Sequence, residues 1–211
     1  MKIAPVKTPI VAKKMFPNYL WDITTNSKEL YLTFDDGPTP EITDWTLQTL
    51  KRYNAKATFF CIGSNIEKYP GIFQKIIDDG HTIGNHTHQH VKGWTTKTKD
   101  YLSEVRLTQT IIDTLKKDDI KLFRPPYGQI KPKQGKKIIN LGYKIVMWDV
   151  LSFDWDQSLS EEQCLENVLS KSKAGSIIVF HDSVKASKNM TYTLPKVLEL
   201  FSKKGFEFKA L

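Results

Sequence analysis

Four of the five histidines fall between His81 and His90, and the fifth is His181. His86 and His90 stand four apart. On a helical turn that spacing puts both rings on one face, where they can bind one cation. His88 would then point elsewhere. Two imidazoles need a third ligand, and a carboxylate completes a set that still leaves a position open for water. Asp35 and Asp36 offer that carboxylate at the end of an apolar run, just before Gly37 and Pro38. Adjacent side chains there point in different directions. One aspartate can bind the cation while the other stays free to take a proton from water. Two neighbouring carboxylates resist joint ionisation unless a cation lies between them. Adjacent aspartates at a turn also commonly cap backbone amides.

His181 ends the buried-looking run Gly175 to Phe180, which makes it a candidate general acid. A core histidine bonded to a carbonyl would look the same in sequence. Asp154 can hold it protonated. Arg124 sits between an apolar strand and two prolines and can pair with a site carboxylate. Trp155 and Trp94 offer flat apolar walls to sugar rings, although tryptophans more often pack in cores.

The elements that carry these residues alternate. Strands are expected at Leu30–Asp35, Ala57–Ile62, Thr82–Asn85, Lys121–Arg124, Lys144–Val150, Ser176–Phe180 and Phe206–Lys209. Helices are expected at Glu41–Tyr53, Pro70–Asp79, Lys99–Lys116, Pro132–Asn140, Glu161–Ser170 and Leu194–Lys203. Pro70, Pro132 and Pro195 suit first turns, and Gly80, Gly142 and Gly205 suit C-terminal caps. Strand–helix alternation favours a parallel sheet, either a TIM-like barrel with a unit missing or an open doubly wound sheet. Each polar constellation stands at or just beyond a strand's C-terminal end, where either architecture builds its active face. Residues 1–28 read as an irregular arm and 29–211 as one domain.

Composition narrows the field. The chain has 211 residues, 40% hydrophobic and 26% charged, which suits one globular domain. The net charge of +8 comes from scattered lysines, including the Lys116-Lys117 pair. No basic tract interleaved with aromatics argues for nucleic acid. Two cysteines, Cys61 and Cys164, are too few for a disulfide framework. No run is long and apolar enough for a signal peptide or a membrane span. Sequence alone therefore reads as cytoplasmic, whereas a wall substrate would place the protein in the envelope or outside; the location stays open. A monomer is expected.

As a set, the motifs resemble those of the NodB-homology polysaccharide deacetylases, carbohydrate esterase family 4. The similar segments are Thr33–Pro38, His86-Thr87-x-x-His90, Arg124–Gly128, Asp154-Trp155 and Val179-x-His181, in the family's order. The resemblance covers about Glu29 to Leu211. It implies a deformed (β/α)7 barrel and a divalent metal on Asp36, His86 and His90, usually zinc, with cobalt, nickel or manganese as alternatives. It implies Asp35 as base, His181 as acid, Arg124 orienting Asp35 and Asp154 tuning His181. The Tyr127 amide would hold an oxyanion, Trp155 and Val179 would line the acetyl pocket, and Pro126 would be a further substrate-binding residue. Leu151 departs from the family's usual aspartate or alanine, which puts the local loop shape in question. Val179 replaces a common leucine.

The expected reaction is removal of N-acetyl groups from an N-acetylglucosamine polymer, chitin oligomers or peptidoglycan, with release of acetate. The alternatives are an O-acetyl esterase on xylan, hydrolysis of small cyclic amides, and a non-catalytic sugar-binding relative.

Overall fold

The computed structural model describes residues 5–116 and 121–211. The first four residues of the expected arm, and Lys117 of the lysine pair, lie outside the described residues.

The elements run α1 (Ile10–Met15), β1 (Glu29–Asp35), α2 (Ile42–Arg52), β2 (Ala57–Cys61), α3 (Gly63–Lys68), α4 (Pro70–Asp78), β3 (Thr82–Asn85) and α5 (Thr98–Leu115). They continue β4 (Lys121–Phe123), α6 (Pro132–Asn140), β5 (Tyr143–Ile145), β6 (Val150–Leu151), α7 (Glu161–Leu169), β7 (Ile177–His181), α8 (Ser187–Lys203) and β8 (Glu207–Phe208). The strands pair in parallel in the order β5-β4-β3-β2-β1-β7-β6, with β8 added beside the start of β1. The sheet curls into the deformed (β/α)7 barrel, with helices outside.

Pleating explains the two cores, because alternate residues of a strand face opposite sides. On β1, Leu30, Leu32 and Phe34 face outward and pack with Phe59, Leu194 and Leu198 beneath the helices. Tyr31 belongs to the smaller inner cluster with Phe60, Leu122, Val146 and Ile177. Thr33 and Asp35 share its face further along. The polar end of the barrel interior is therefore continuous with its packed core.

Four expectations change. The single strand over Lys144–Val150 is two short strands. Between them, Arg124 takes the carbonyls of Val146 and Met147 through Nε (3.3 Å) and Nη2 (2.8 Å), so those groups leave the ladder. The last helix starts at Ser187, so Pro195 lies inside it. Burial of Met190, Leu194, Val197, Leu198 and Phe201 along one face outweighs the lost backbone hydrogen bond. Helix α3 was not expected at all. Finally, the segment read as an irregular arm carries α1 and bridges both open barrel edges, Leu20 to Val146 and Lys7 to Val150, with a further bridge from Asp22 to Ser176 just before β7. Among the described residues no helix is long and apolar enough to cross a membrane.

Candidate functional site

The parallel register seats Asp35 beside His181 and Thr33 beside Val179 on neighbouring strands. It also aligns Cys61 with Asn85, which leads into His86. Three loops then fold over this end of the barrel.

The first loop carries Asp36, whose backbone is left-handed (φ 80°). Asn65 at the start of α3 donates to the Asp36 carbonyl at 2.8 Å. Asp182 accepts from the Gly37 amide (3.1 Å) and from Thr43 Oγ1 (2.5 Å). Sequence reasoning gave Asn65 and Asp182 no role. The signal was available for Asp182, a second acid directly after His181 at the end of an apolar strand.

The second loop holds His86 and His90. They are not on a helical turn. Thr87 and His90 both take positive φ (62° and 52°), and this irregular path brings the rings to 5.1 Å. Asn85 fixes the path by accepting from the Thr87 amide and donating to the Val105 carbonyl. His88 does point elsewhere, with Nε2 3.7 Å from Glu67 Oε2.

Asp36 Oδ1 lies 3.7 Å from His86 Nε2 and 3.2 Å from His90 Nε2. One ligand atom from each residue falls within 4.8 Å of the others. Asp36 Oδ1 is buried and has no hydrogen-bond partner. His86 Nδ1 stands 2.7 Å from the Arg124 carbonyl, so that nitrogen carries the hydrogen and Nε2 turns its lone pair toward Asp36. A buried acceptor facing an imidazole lone pair is unfavourable alone and is what a cation resolves. The donor set therefore fits a metal. Burial pushes Asp36 up, but the proximity of His90, His181 and His86 holds it well below the usual carboxylate range. Burial lowers His86 to about 4.

Arg124 is fully buried, with its guanidinium 4.1 Å from the Phe60 ring centre. Its Nη1 donates to Asp35 Oδ1 and to Thr33 Oγ1, each at 2.7 Å. Asp35 thus has one oxygen fixed. Across the site, His181 Nδ1 meets Asp154 Oδ1 at 2.8 Å, and the His181 amide donates to Asp154 Oδ2 at 2.7 Å. Burial opposes charge on His181, but Asp154, with Asp36 and Asp35 behind it, raises it to about 9. The Trp155 ring stands edge-on to His181 at 4.6 Å.

The third loop turns at Pro126–Gly128, with Tyr127 left-handed (φ 59°) and its ring 4.6 Å from His90. Pro126 is buried and Tyr127 exposed. Val179 is sealed in a cluster with Leu151 and Phe153, against which Trp155 packs. Leu151 accordingly serves as a buried support for the Asp154 loop. Trp94 is exposed, and both cysteines are buried and free.

The model of the polysaccharide deacetylase family matches residues 22–146, more than half of the chain. The protein belongs to this family. The chain is 37% identical over 187 residues to a peptidoglycan-N-acetylglucosamine deacetylase of Bacillus cereus, covering 88% of this chain and 68% of that one. It is 32% identical over 183 residues to chitin deacetylase 2 of Saccharomyces cerevisiae, covering 84% and 57%. The crystal structure of the Bc1960 peptidoglycan N-acetylglucosamine deacetylase, bound to 4-naphthalen-1-yl-N-oxidanyl-benzamide, superposes with a TM-score of 0.88. The two share 35% identity over 97% of this chain and 95% of that one.

Proposed function

We propose that this deacetylase hydrolyses the N-acetyl amide of N-acetylglucosamine units in peptidoglycan, with a divalent cation on Asp36, His86 and His90. The observation that carries the cation is the buried, unpartnered Asp36 Oδ1 between two imidazoles. Two nitrogens and one oxygen suit zinc, and cobalt, nickel or manganese can take the same donors. Such a cation supplies Lewis acidity toward a carbonyl oxygen and eases the ionisation of water.

The chain's own groups do the rest. Asp35, fixed by Arg124, takes the proton of the attacking water. His181, its Nδ1 engaged by Asp154, presents Nε2 and gives its proton to the leaving amine. The Tyr127 amide donates to the developing oxyanion, an interaction worth about 3–4 kcal/mol where measured in other enzymes. Trp155, Val179 and Pro126 shape the space for the acetyl group. Acetate and a free amino sugar result. The relatives' activity on peptidoglycan supports the choice of polymer over chitin.

The test is acetate release from peptidoglycan strands and N-acetylglucosamine oligomers by metal-stripped protein, with and without zinc. Zinc should restore release. Asp35→Asn should still bind zinc and lose nearly all turnover, whereas His86→Ala should lose both. A fully active Asp35→Asn protein overturns the base assignment. Release from acetylated xylan alone moves the reaction to an ester.

A further inference from the structure

Helices α5 and α6 leave a groove of about 370 Å³ between them, lined by Thr98, Lys99, Leu102, Arg106, Lys133 and Lys137. That volume lies within the roughly 300–1,000 Å³ of small-ligand sites. Four of its six lining residues are cations and none is an acid. Among the described residues none of the four makes an ion pair. Helix α6 carries no acidic residue at all. On α5, Glu104 accepts from the Gln89 amide and Asp113 faces Lys121, so those two acids are engaged elsewhere; Asp100 stands in the first turn, outside the lining. Lys99 and Arg106 lie about 10 Å apart along the helix axis. Leu102 adds an apolar wall between them.

The first turns of both helices, with Lys99 and Lys133, start from the loops at the barrel end that carries the candidate site. α5 follows the loop holding His86 and His90, and α6 follows the loop holding Tyr127. Gln134 ties the two loops together, donating to the carbonyls of Gly93 (3.0 Å) and Thr96 (3.2 Å). Lys131 Nζ donates to the Thr96 carbonyl at 2.8 Å.

We propose that the α5–α6 groove is an accessory site for the carboxylate groups of an acidic polysaccharide, holding the polymer while one of its units occupies the catalytic face. A sugar or peptide carboxylate meets the four cations, and its apolar flank meets Leu102 and the lysine stems. The identity of the polymer, peptidoglycan with its stem carboxylates, rests on the reading above; the site itself does not.

The test combines Lys99→Gln, Arg106→Gln, Lys133→Gln and Lys137→Gln, all on exposed positions. The KM for soluble peptidoglycan strands should rise about tenfold with kcat kept, given the modest strength of each exposed pair. Kinetics on neutral chitin oligomers should stay within about twofold. An unchanged KM on the acidic strands, or an equal loss on both glycans, overturns the site. Should the wild type turn over neither glycan, the functional reading fails and a second measurement decides the groove. Asp35→Asn protein is co-sedimented with insoluble peptidoglycan, with and without the four changes, at rising salt. Salt-sensitive retention that the four changes abolish supports the site, and equal retention overturns it.

Discussion

At the scale of single residues, the proposed role of His181 as acid makes its charge set the alkaline limit of the reaction. Against burial, Asp154, with Asp36 and Asp35 behind it, raises His181 above the ordinary histidine range, and an acid must carry its proton to deliver it. Turnover should therefore hold through neutral pH and fall on the alkaline side as that proton is lost. Asp154→Asn removes the charge that sustains the imidazolium, so the alkaline limb should move down by a unit or more toward the ordinary histidine range. The kcat should drop on the order of 10²-fold. A pH profile of kcat on both proteins checks this; an unmoved limb would mean that another group supplies the proton. The residues proposed to do the chemistry were legible because each is a polar exception in an apolar context: Asp35, Arg124 and His181 stand at the ends of strands that otherwise bury. Asp182 and Asn65 were not legible. They act on backbone atoms of Gly37 and Asp36 from positions 145 and 29 residues away, and no local pattern encodes such a pairing.

At the scale of elements, the loop after β1 shows how tightly the proposed ligand Asp36 is placed. A Cβ on Gly37 would lie 2.1 Å from Asp182 Oδ2, far inside van der Waals contact. Gly37→Ala must therefore move the loop or eject the Asp182 carboxylate, and either displaces Asp36. The expected result is a folded protein by circular dichroism, with zinc bound at least tenfold more weakly and kcat lowered about 10²-fold. A normal zinc affinity in this variant would separate Gly37 from ligand positioning. Long periodic elements such as α5 and α6 were readable from sequence within a residue or two. Elements whose hydrogen bonds go to distant partners were not. The β5–β6 break depends on Arg124 reaching two carbonyls, and the His86–His90 loop depends on Asn85 accepting from Thr87, so a four-residue spacing stood in for a helix that does not form.

At the scale of the whole molecule, the barrel is completed by a segment with little strand pattern of its own. Edges β5 and β6 do not pair with each other, and the N-terminal arm crosses the gap through the Leu20 and Lys7 bridges. It is anchored on Asp149, which is fully buried and holds Lys7 Nζ and Lys13 Nζ at 2.5 Å each and Ser176 Oγ at 2.6 Å. Burial alone would raise the Asp149 carboxyl, but Lys13, Lys7 and Ser176 hold it below its ordinary value of 3.8. A carboxyl lowered on folding stabilises fully above its unfolded value and loses that contribution as pH falls through the folded one. Lys13 is raised from 10.5 by the same contacts against burial, so its share persists until pH rises past that value. Between about pH 4 and pH 10 the clamp is therefore at full strength. Replacing both lysines, Lys7→Ala with Lys13→Ala, leaves a buried carboxylate with Ser176 as its remaining side-chain partner, at a cost of about 3–5 kcal/mol. For a chain of this size that is a fall in Tm of roughly 10 °C at pH 7. The difference from wild type should shrink at pH 3, where protonation removes the stranded charge, and Asp149→Asn in the same background should recover part of the loss. Thermal melts of the three proteins at the two pH values decide it. Equal Tm at pH 7 would show that the arm is held by its backbone bridges and apolar contacts rather than by Asp149.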